Sequence, residues 1–181
     1  MQNLILCLRF CGVIITINKG GRVMEDIQIE SDDCRFKFRV CGIIKQNNKF
    51  LIQKIEGNDF YCLPGGHAEI GEDSLMAVKR ELKEETGIDC KNEKLFAVIE
   101  NLYSHKQKKF HELGFYYIVE PETPLQANDF VVNEIDKGVP KRLEYIWVDL
   151  EQLKKEDFRP KILKECFKNL DGKLKHYIMH E

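Results

Sequence analysis

The sequence lacks a Cys-x-x-Cys pair, a long apolar run and an excess of basic residues. Its seven cysteines are odd in number and lack the Cys/His spacing of a zinc site, and disulfide frameworks are typical of small secreted scaffolds. The apolar stretch at residues 4–17 is shorter than the roughly 18 residues that span a membrane, and it contains Arg9. We therefore expect reduced thiols, no signal peptide, no membrane anchor and a cytoplasmic location.

The charge of the chain is nearly balanced, with 28 basic and 30 acidic residues and a formal net charge of −2. Proteins that bind nucleic acid in general carry a basic surplus, so this balance argues against that class and favours a small-molecule substrate. A polyanionic substrate would have to be bound by local features such as a bound cation. The 181 residues are enough for one domain with a full hydrophobic core.

The N-terminal segment raises a separate question about where the natural protein begins. We divide the chain into an extension at residues 1–34 and a domain at residues 35–181. The codons for Lys19-Gly20-Gly21, just before Met24, can spell the purine-rich sequence that bacterial ribosomes bind. We hypothesise that Met24 is the initiator and that residues 1–23 are translated leader. The alternative is a genuine strand over residues 13–17, which are rich in β-branched side chains.

Alternating or continuous apolar segments predict strands, and a helical period predicts helices between and after them. The predicted strands are residues 36–44, 50–54, 95–100, 114–119 and 144–148. A central helix has Leu75, Val78 and Leu82 on one stripe. A last helix is predicted at residues 160–170, and residues 121–140 are expected to be irregular. We predict an α/β fold, an α/β/α sandwich with a mixed sheet.

The central helix carries a group of acidic side chains beside a glycine loop. At about 100° per residue, Glu81, Glu84 and Glu85 fall within an arc of about 100°, where their like charges repel one another. Asp73 or Ser74 can cap this helix, and Gly87 stands where a left-handed stop is expected. Convergent carboxylates favour a hard cation such as Mg²⁺, which can neutralise a diphosphate and lower the pKa of a bound water.

The spacing of these residues resembles the signature of the Nudix hydrolases, G-x5-E-x7-R-E-U-x-E-E-x-G-U, in which U is a bulky aliphatic residue. The chain matches it without a departure, at Gly66, Glu72, Arg80, Glu81, Leu82, Glu84, Glu85, Gly87 and Ile88. The resemblance, to the MutT-type members in particular, implies the curved mixed sheet of the Nudix fold. It also implies an enzyme that hydrolyses nucleoside diphosphates linked to another moiety.

The resemblance further implies a role for each residue of this box. Glu84 and Glu85 match the principal metal ligands, and Glu81 matches a further ligand or the residue that orients water. The carbonyl of Gly66 matches a backbone metal contact, and Arg80 resembles the arginine that holds the glutamates by ion pairing. Glu72 and Gly87 are assigned structural roles in the loop and at the helix end, respectively. The implied cofactor is Mg²⁺, with Mn²⁺ as a substitute.

The general base and the substrate contacts lie outside the box. Glu112 is the first candidate for the base because it opens a strand beyond a polar loop, and Glu134 and Glu144 are its rivals. Candidate substrate contacts are Arg39, Phe60, Tyr61 and His111.

Several functions remain open at this point. The substrate could be a nucleoside triphosphate, an oxidised deoxynucleotide, ADP-ribose, a nucleotide sugar or a dinucleoside polyphosphate. The alternatives are a module that senses a nucleotide without turnover and a pyrophosphohydrolase of RNA 5′ ends. A sensing module usually lacks one of the box glutamates. An RNA pyrophosphohydrolase conflicts with the balanced charge of the chain. The resemblance also allows a homodimer.

Overall fold

The computed structural model describes the backbone of residues 5–10, 13–18, 25–136 and 139–181, and side chains within residues 25–133 and 140–181. Ile5–Phe10 (β1) and Val13–Asn18 (β2) pair antiparallel as a two-stranded sheet, which agrees with a strand over residues 13–17. Met24 lies outside the described residues. A start at Met24 stays a prediction, and so does the division into an extension at residues 1–34 and a domain at residues 35–181.

The remaining strands form one sheet of eight. They are β3 Gln28–Glu30, β4 Cys34–Gln46, β5 Lys49–Ile55, β6 Cys90–His105, β7 Lys108–Pro121, β8 Phe130–Asp136, β9 Val139–Val148 and β10 Lys175–His180. The order is β10-β6-β7-β4-β5-β9-β8, with β3 paired to β4. The pairs β10–β6 and β4–β7 are parallel and the other pairs are antiparallel. The predicted mixed sheet is therefore confirmed.

Helices cover both faces of this sheet. They are α1 Ser74–Thr86, α2 Leu150–Lys155 and α3 Ile162–Cys166. Successive residues of a strand point to opposite faces, so Val40 and Ile44 share one core with α1. Cys41 and Ile43 share the other core with α2 and α3. The predicted α/β/α arrangement is confirmed by these two cores.

Three parts of the predicted secondary structure were wrong. Residues 121–140 were expected to be irregular but contain β8. The local pattern does not indicate a strand there; β8 is stabilised by pairing with β9 and by the packing of Phe130 and Val132. The last helix is shorter than residues 160–170, although the apolar face predicted for it does pack in the core. Neither α2 nor the edge strand β10 was predicted.

Two expectations drawn from composition can be compared with the structure. The five cysteines of the described part, Cys34, Cys41, Cys62, Cys90 and Cys166, are all free thiols. No helix within the described ranges is long and apolar enough to cross a membrane.

Candidate active site

Helix α1 presents the acidic residues of the box, and local chemistry fixes both of its ends. The carboxylate of Asp73 accepts hydrogen bonds from the backbone N–H groups of Leu75 and Met76, which satisfies two donors of the first turn. Gly87 takes a left-handed conformation at φ 74° and donates its N–H to the carbonyl of Lys83. The cap and the stop are those expected from the sequence.

Arg80 is the centre of an ion-pair network on α1. Its guanidinium donates to both oxygens of Glu72, at 3.2 and 2.6 Å, and to the carbonyl of His67 at 3.0 Å. Its Nη1 donates to Glu81 Oε1 at 2.9 Å and to Glu84 Oε2 at 3.1 Å. One arginine therefore ties the loop before the helix to two of the three box glutamates on it.

Glu72 braces the loop from within. Its side chain is only 4% exposed, and its Oε1 accepts the backbone N–H of Glu69 at 2.9 Å as well as the bond from Arg80. A carboxylate this buried needs such partners, because an unpaired buried charge is costly. These bonds link Glu72 both to the loop before α1 and to Arg80 on the helix.

Two adjacent glycines bring the loop against β4 and α1. A Cβ at Gly65, which has φ +133°, would lie 2.2 Å from the backbone carbonyl oxygen of Val40. A Cβ at Gly66 would lie 2.2 Å from Oε2 of Glu81. The carbonyl of Gly66 accepts the N–H of Val40 at 2.9 Å. Position 65 therefore needs a residue without a side chain, whereas a side chain at position 66 would displace the carboxylate of Glu81.

The three box glutamates differ in exposure and in partners. The Glu84 carboxylate is 61% exposed, whereas Glu85 is nearly buried and accepts from Gly65 N at 3.0 Å and from the Tyr145 hydroxyl at 3.3 Å. The Glu81 carboxylate is 14% exposed. Burial raises the pKa of Glu81, and the neighbouring Arg80 opposes that rise. The site thus combines one solvated carboxylate with two that are largely buried.

These residues fit a divalent cation by their chemistry. Three carboxylates and a backbone carbonyl are the oxygen donors that a hard cation takes, and the missing Cβ of Gly66 keeps Glu81 beside the loop. As the side chains of the described part stand, no three His, Cys, Asp or Glu residues are grouped closely enough to hold a metal. Glu81 and Glu84 are instead turned toward Arg80. Binding of one cation by all three carboxylates therefore requires Glu81 and Glu84 to turn away from Arg80.

A cleft of about 160 Å³ opens on the sheet face that lies away from α1. Register places Asn101 of β6, Glu112 of β7 and Lys37 of β4 side by side across three adjacent strands, and all three line the cleft. Other lining residues are Arg39, Cys41, Ile55, Asn58, Phe60, Cys62, Leu63, Tyr103, Tyr116, Arg159, Pro160 and Glu181.

The charged groups of the cleft are paired with one another. The Lys37 ammonium lies 2.8 Å from Glu112 Oε2. Although burial acts to raise it, the pKa of Glu112 is held below its ordinary value by the charges of Lys37 and Arg39. Glu112 is therefore ionised at neutral pH.

Gly65 connects the cleft to the box. The Nη2 of Arg39, which lines the cleft, donates to the carbonyl of Gly65 at 2.8 Å, and the N–H of Gly65 donates to Glu85. The charge of Arg39 opposes the rise that burial causes in the pKa of Glu81, and it helps to lower the pKa of Glu112. A ligand in the cleft would therefore lie next to the loop that carries the box.

The structure brings some of the predicted substrate contacts together and separates others. Arg39 and Phe60 line the cleft. Tyr61 does not, and its ring faces Lys54 Nζ at 5.4 Å. His111 follows the alternation of β7 onto the face opposite Glu112, where its ring contacts Phe36 at 5.3 Å. The expected substrate role of Tyr61 and His111 therefore receives no support from their positions.

The three candidate bases also differ in place. Glu112 lines the cleft. Glu144 lies on β9 opposite Lys54 and is not among the lining residues. Glu134 lies on β8, and its side chain is outside the described residues.

Sequence reasoning missed several lining residues, above all Lys37, Asn101, Tyr103 and Arg159. A signal for Lys37 was present, because it alternates with Arg39 and Cys41 on one face of β4. Arg159 comes from a loop far along the chain, and no local pattern points to it.

Comparisons with known proteins agree with this geometry. The NUDIX domain family model matches residues 35–169. An ADP-ribose pyrophosphatase of Methanocaldococcus jannaschii is 30% identical over 178 residues, covering 92% of this chain and 98% of that relative. An 8-oxo-dGTP diphosphatase of Haemophilus influenzae is 37% identical over 83 residues, covering 43% of this chain and 58% of that relative.

Two solved structures share the fold. A mutator MutT protein from Bacillus halodurans has a TM-score of 0.54 at 21% identity, over 80% of this chain and 89% of that one. A NUDIX hydrolase from Nitrosomonas europaea has a TM-score of 0.55 at 17% identity, over 99% of this chain and 96% of that one. The open mixed sheet and its helices are therefore those of this fold.

Proposed function

This chain belongs to the Nudix family of hydrolases, and we propose that it cleaves the diphosphate of ADP-ribose or of a closely similar nucleoside diphosphate in a Mg²⁺-dependent reaction. It is a Nudix pyrophosphatase acting on nucleoside diphosphate derivatives.

One observation carries the proposal: a complete box and a cleft lined by charged and aromatic side chains meet at a single residue, Gly65. Its N–H binds Glu85 of the box and its carbonyl binds Arg39 of the cleft. A substrate with a nucleoside in the cleft and a diphosphate over Gly65 would place the P–O–P bridge beside the glutamates. This arrangement suits a nucleoside diphosphate derivative better than a free phosphate.

The choice of ADP-ribose rests on the extent of similarity. The relative named as an ADP-ribose pyrophosphatase aligns over nearly all of both chains, whereas the relative named as an 8-oxo-dGTP diphosphatase aligns over less than half of this chain. In the proposed reaction, water attacks one phosphorus and the bond from that phosphorus to the bridging oxygen breaks. ADP-ribose and water thereby give AMP and ribose 5-phosphate.

The box residues would hold the cation through Glu81, Glu84, Glu85 and the carbonyl of Gly66. When bound, Mg²⁺ neutralises diphosphate charge and lowers the pKa of a coordinated water. Arg80 holds Glu81 and Glu84 in place, and Arg39 adds positive charge beside the loop. We assign the general base to Glu112, because it is ionised and lines the cleft. Mn²⁺, with the same oxygen ligands, is expected to substitute.

The test is phosphate or nucleotide release from a panel of substrates at saturating Mg²⁺, and again with EDTA. The panel holds ADP-ribose, a nucleotide sugar, 8-oxo-dGTP, a dinucleoside polyphosphate and a 5′-triphosphorylated RNA. We expect AMP and ribose 5-phosphate from ADP-ribose, at the highest kcat/KM of the panel and only with the metal. A higher kcat/KM for another member would refute the substrate assignment, and full activity in EDTA would refute the metal.

Two further expectations accompany this function. The five free thiols support a reducing compartment, for which we propose the cytoplasm. A homodimer is proposed on the family resemblance alone, and sedimentation equilibrium across protein concentrations tests it.

A further inference from the structure

Tyr145 joins the sheet to one of the box glutamates. It is fully buried in the core that the sheet shares with α1, and its hydroxyl donates to Oε2 of Glu85 at 3.3 Å. The backbone N–H of Gly65 donates to the same oxygen at 3.0 Å. The carboxylate is therefore held from two sides, by the loop through Gly65 and by strand β9 through Tyr145.

The ring of Tyr145 is itself fixed by its neighbours. It stacks on Phe130 of β8, with the ring centroids 4.7 Å apart and the planes 9° from parallel, and the two residues are directly opposite in the β8–β9 register. Cross-strand aromatic pairs of this kind stabilise a sheet. Because the side chain lies wholly out of solvent, turning the ring would displace close-packed core residues. The hydroxyl of Tyr145 is therefore a fixed point of the sheet.

The other two box glutamates are held in a different way. Arg80 donates to Glu81 and Glu84, and its positive charge competes with a cation for both carboxylates. The hydroxyl of Tyr145 is a neutral donor, so its bond orients Glu85 without offsetting the negative charge. Mg²⁺ demands near-ideal octahedral geometry, which favours a ligand whose position is set before the cation binds.

We propose that Tyr145 is a positioning residue that makes Glu85 the preformed ligand of the metal site. The inference rests on the proposed function, because it takes Glu85 to be a ligand of the cation. A hydrogen bond to a metal ligand fixes the orientation of that ligand, and loss of such a bond typically lowers metal affinity by about 10-fold to 100-fold. In this role Tyr145 contacts neither the cation nor the substrate and acts through Glu85 alone.

The experiment measures Mn²⁺ binding to the protein without substrate, by electron paramagnetic resonance of the free ion, and the Mg²⁺ concentration that gives half-maximal turnover of ADP-ribose. Tyr145→Phe retains the ring that stacks on Phe130 and removes only the hydroxyl. We expect Tyr145→Phe to raise the Kd for Mn²⁺ and the half-saturating Mg²⁺ concentration about tenfold each, with kcat at saturating Mg²⁺ within about twofold of the wild type. Affinity for the metal should thus fall while turnover of the loaded enzyme is kept.

The matched control is Tyr117→Phe. Tyr117 lies in the same core and is 6% exposed, and its hydroxyl shares a hydrogen bond of 2.6 Å with Oγ of Ser74 at the start of α1. Tyr117→Phe therefore also removes a buried hydroxyl that binds α1, but about three helical turns before Glu85. It should keep the wild-type Kd for Mn²⁺, and urea unfolding compares the stability of the two variants.

A double-mutant cycle shows whether Tyr145 acts through Glu85. Added to Glu85→Gln, Tyr145→Phe should change the Kd for Mn²⁺ by less than about twofold. A wild-type Kd in Tyr145→Phe, an equal loss in Tyr117→Phe, or independent effects in the cycle would each overturn the proposal. If Glu85→Gln itself binds Mn²⁺ normally, the proposed metal site is wrong as well. A failure to hydrolyse ADP-ribose alongside the expected Mn²⁺ affinities would count against the proposed substrate and leave the role of Tyr145 supported.

Discussion

The Lys37 ammonium and the Glu112 carboxylate face each other at 2.8 Å on adjacent parallel strands, and their side chains are 15% and 8% exposed. Burial disfavours each charge, yet the pKa of Lys37 is raised by Glu112 and the pKa of Glu112 is lowered chiefly by Lys37. Each residue therefore keeps the other ionised. This pair governs how the cleft responds to pH.

The first prediction concerns the general base. If Glu112 removes a proton from the attacking water, its own protonation should lower kcat/KM only at pH values below 4.5, the ordinary pKa of glutamate, because the pKa of Glu112 is depressed. Any loss at higher pH would come from other groups, such as Glu81, whose pKa is raised. The Lys37→Met variant removes the charge that depresses it. The pH below which kcat/KM of Lys37→Met falls should therefore be higher than in the wild type. A profile of kcat/KM against pH measures this shift directly.

The rival bases provide the controls for that profile. Glu112→Gln should lower kcat/KM by on the order of 100-fold, the usual contribution of a positioned base. Glu144→Gln and Glu134→Gln should leave it nearly unchanged. A profile of Lys37→Met that superimposes on the wild type would assign the base to another residue.

The same pair predicts how stability depends on pH. The pKa of Glu112 is lower in the folded than in the unfolded chain, so its contribution is present above about pH 4.5 and is lost as pH falls through the folded pKa. The pKa of Lys37 is raised, so its contribution is present below about pH 10.5 and is lost as pH rises through the folded value. Between these limits, Lys37→Met should cost about 3–5 kcal/mol because it leaves a buried charge unpaired.

Urea unfolding of Lys37→Met and of the double variant Lys37→Met/Glu112→Leu checks this prediction. The double variant buries no charge at these positions, so it should recover most of the lost free energy of unfolding at pH 7. The loss in free energy of unfolding caused by Lys37→Met should become smaller in acid, as Glu112 becomes protonated. A double variant no more stable than the single one would show that the loss comes from packing and not from charge.

The next prediction concerns the acidic residues of α1. Glu84→Gln and Glu85→Gln should each lower Mg²⁺-dependent kcat/KM by at least about 100-fold, because each removes a proposed cation ligand. Glu84 is 61% exposed, so Glu84→Gln should change the free energy of unfolding by no more than about 0.5 kcal/mol. Glu151→Gln, at a 77% exposed glutamate of α2, is the matched control and should retain full activity. Wild-type turnover in Glu84→Gln and Glu85→Gln together would exclude them as ligands.

The sequence predicted the features that are made by residues close together in the chain. The cap at Asp73 and the stop at Gly87 follow from side-chain type, and the structure has both as predicted. The clustering of Glu81, Glu84 and Glu85 was predicted from helical spacing, and their convergence on a cation stays a proposal. The interactions of Arg80 with Glu72 also lie within one short segment. A box of this kind is visible in a sequence because the residues that make it are close in the chain.

The cleft could not be predicted in the same way. Asn101, Glu112 and Lys37 become neighbours only through the register of three strands that are far apart in sequence. A shift of one residue would turn Asn101 and Tyr103 to the other face, and no local pattern fixes that register. For the same reason β8 was missed, since its pairing with β9 is a tertiary contact.

The last prediction separates a glycine needed for the fold from one needed for chemistry. In Gly65→Ala the new methyl group would meet the backbone carbonyl oxygen of Val40 at 2.2 Å, at a φ of +133° that alanine rarely adopts. The backbone of β4 cannot move aside cheaply, so we expect a loss of about 3 kcal/mol or more in the free energy of unfolding. In Gly66→Ala the methyl group meets only the far end of the Glu81 side chain.

That carboxylate can rotate away, so Gly66→Ala should stay folded, with a loss of about 1 kcal/mol or less. Moving Glu81 should nevertheless lower kcat/KM by at least about tenfold, because a misplaced ligand weakens the metal site. Urea unfolding and Mg²⁺ titration of activity on both variants measure the two effects. If Gly66→Ala kept wild-type kcat/KM, the position of Glu81 beside the loop would not matter for the reaction, and its role as a ligand would have to be given up.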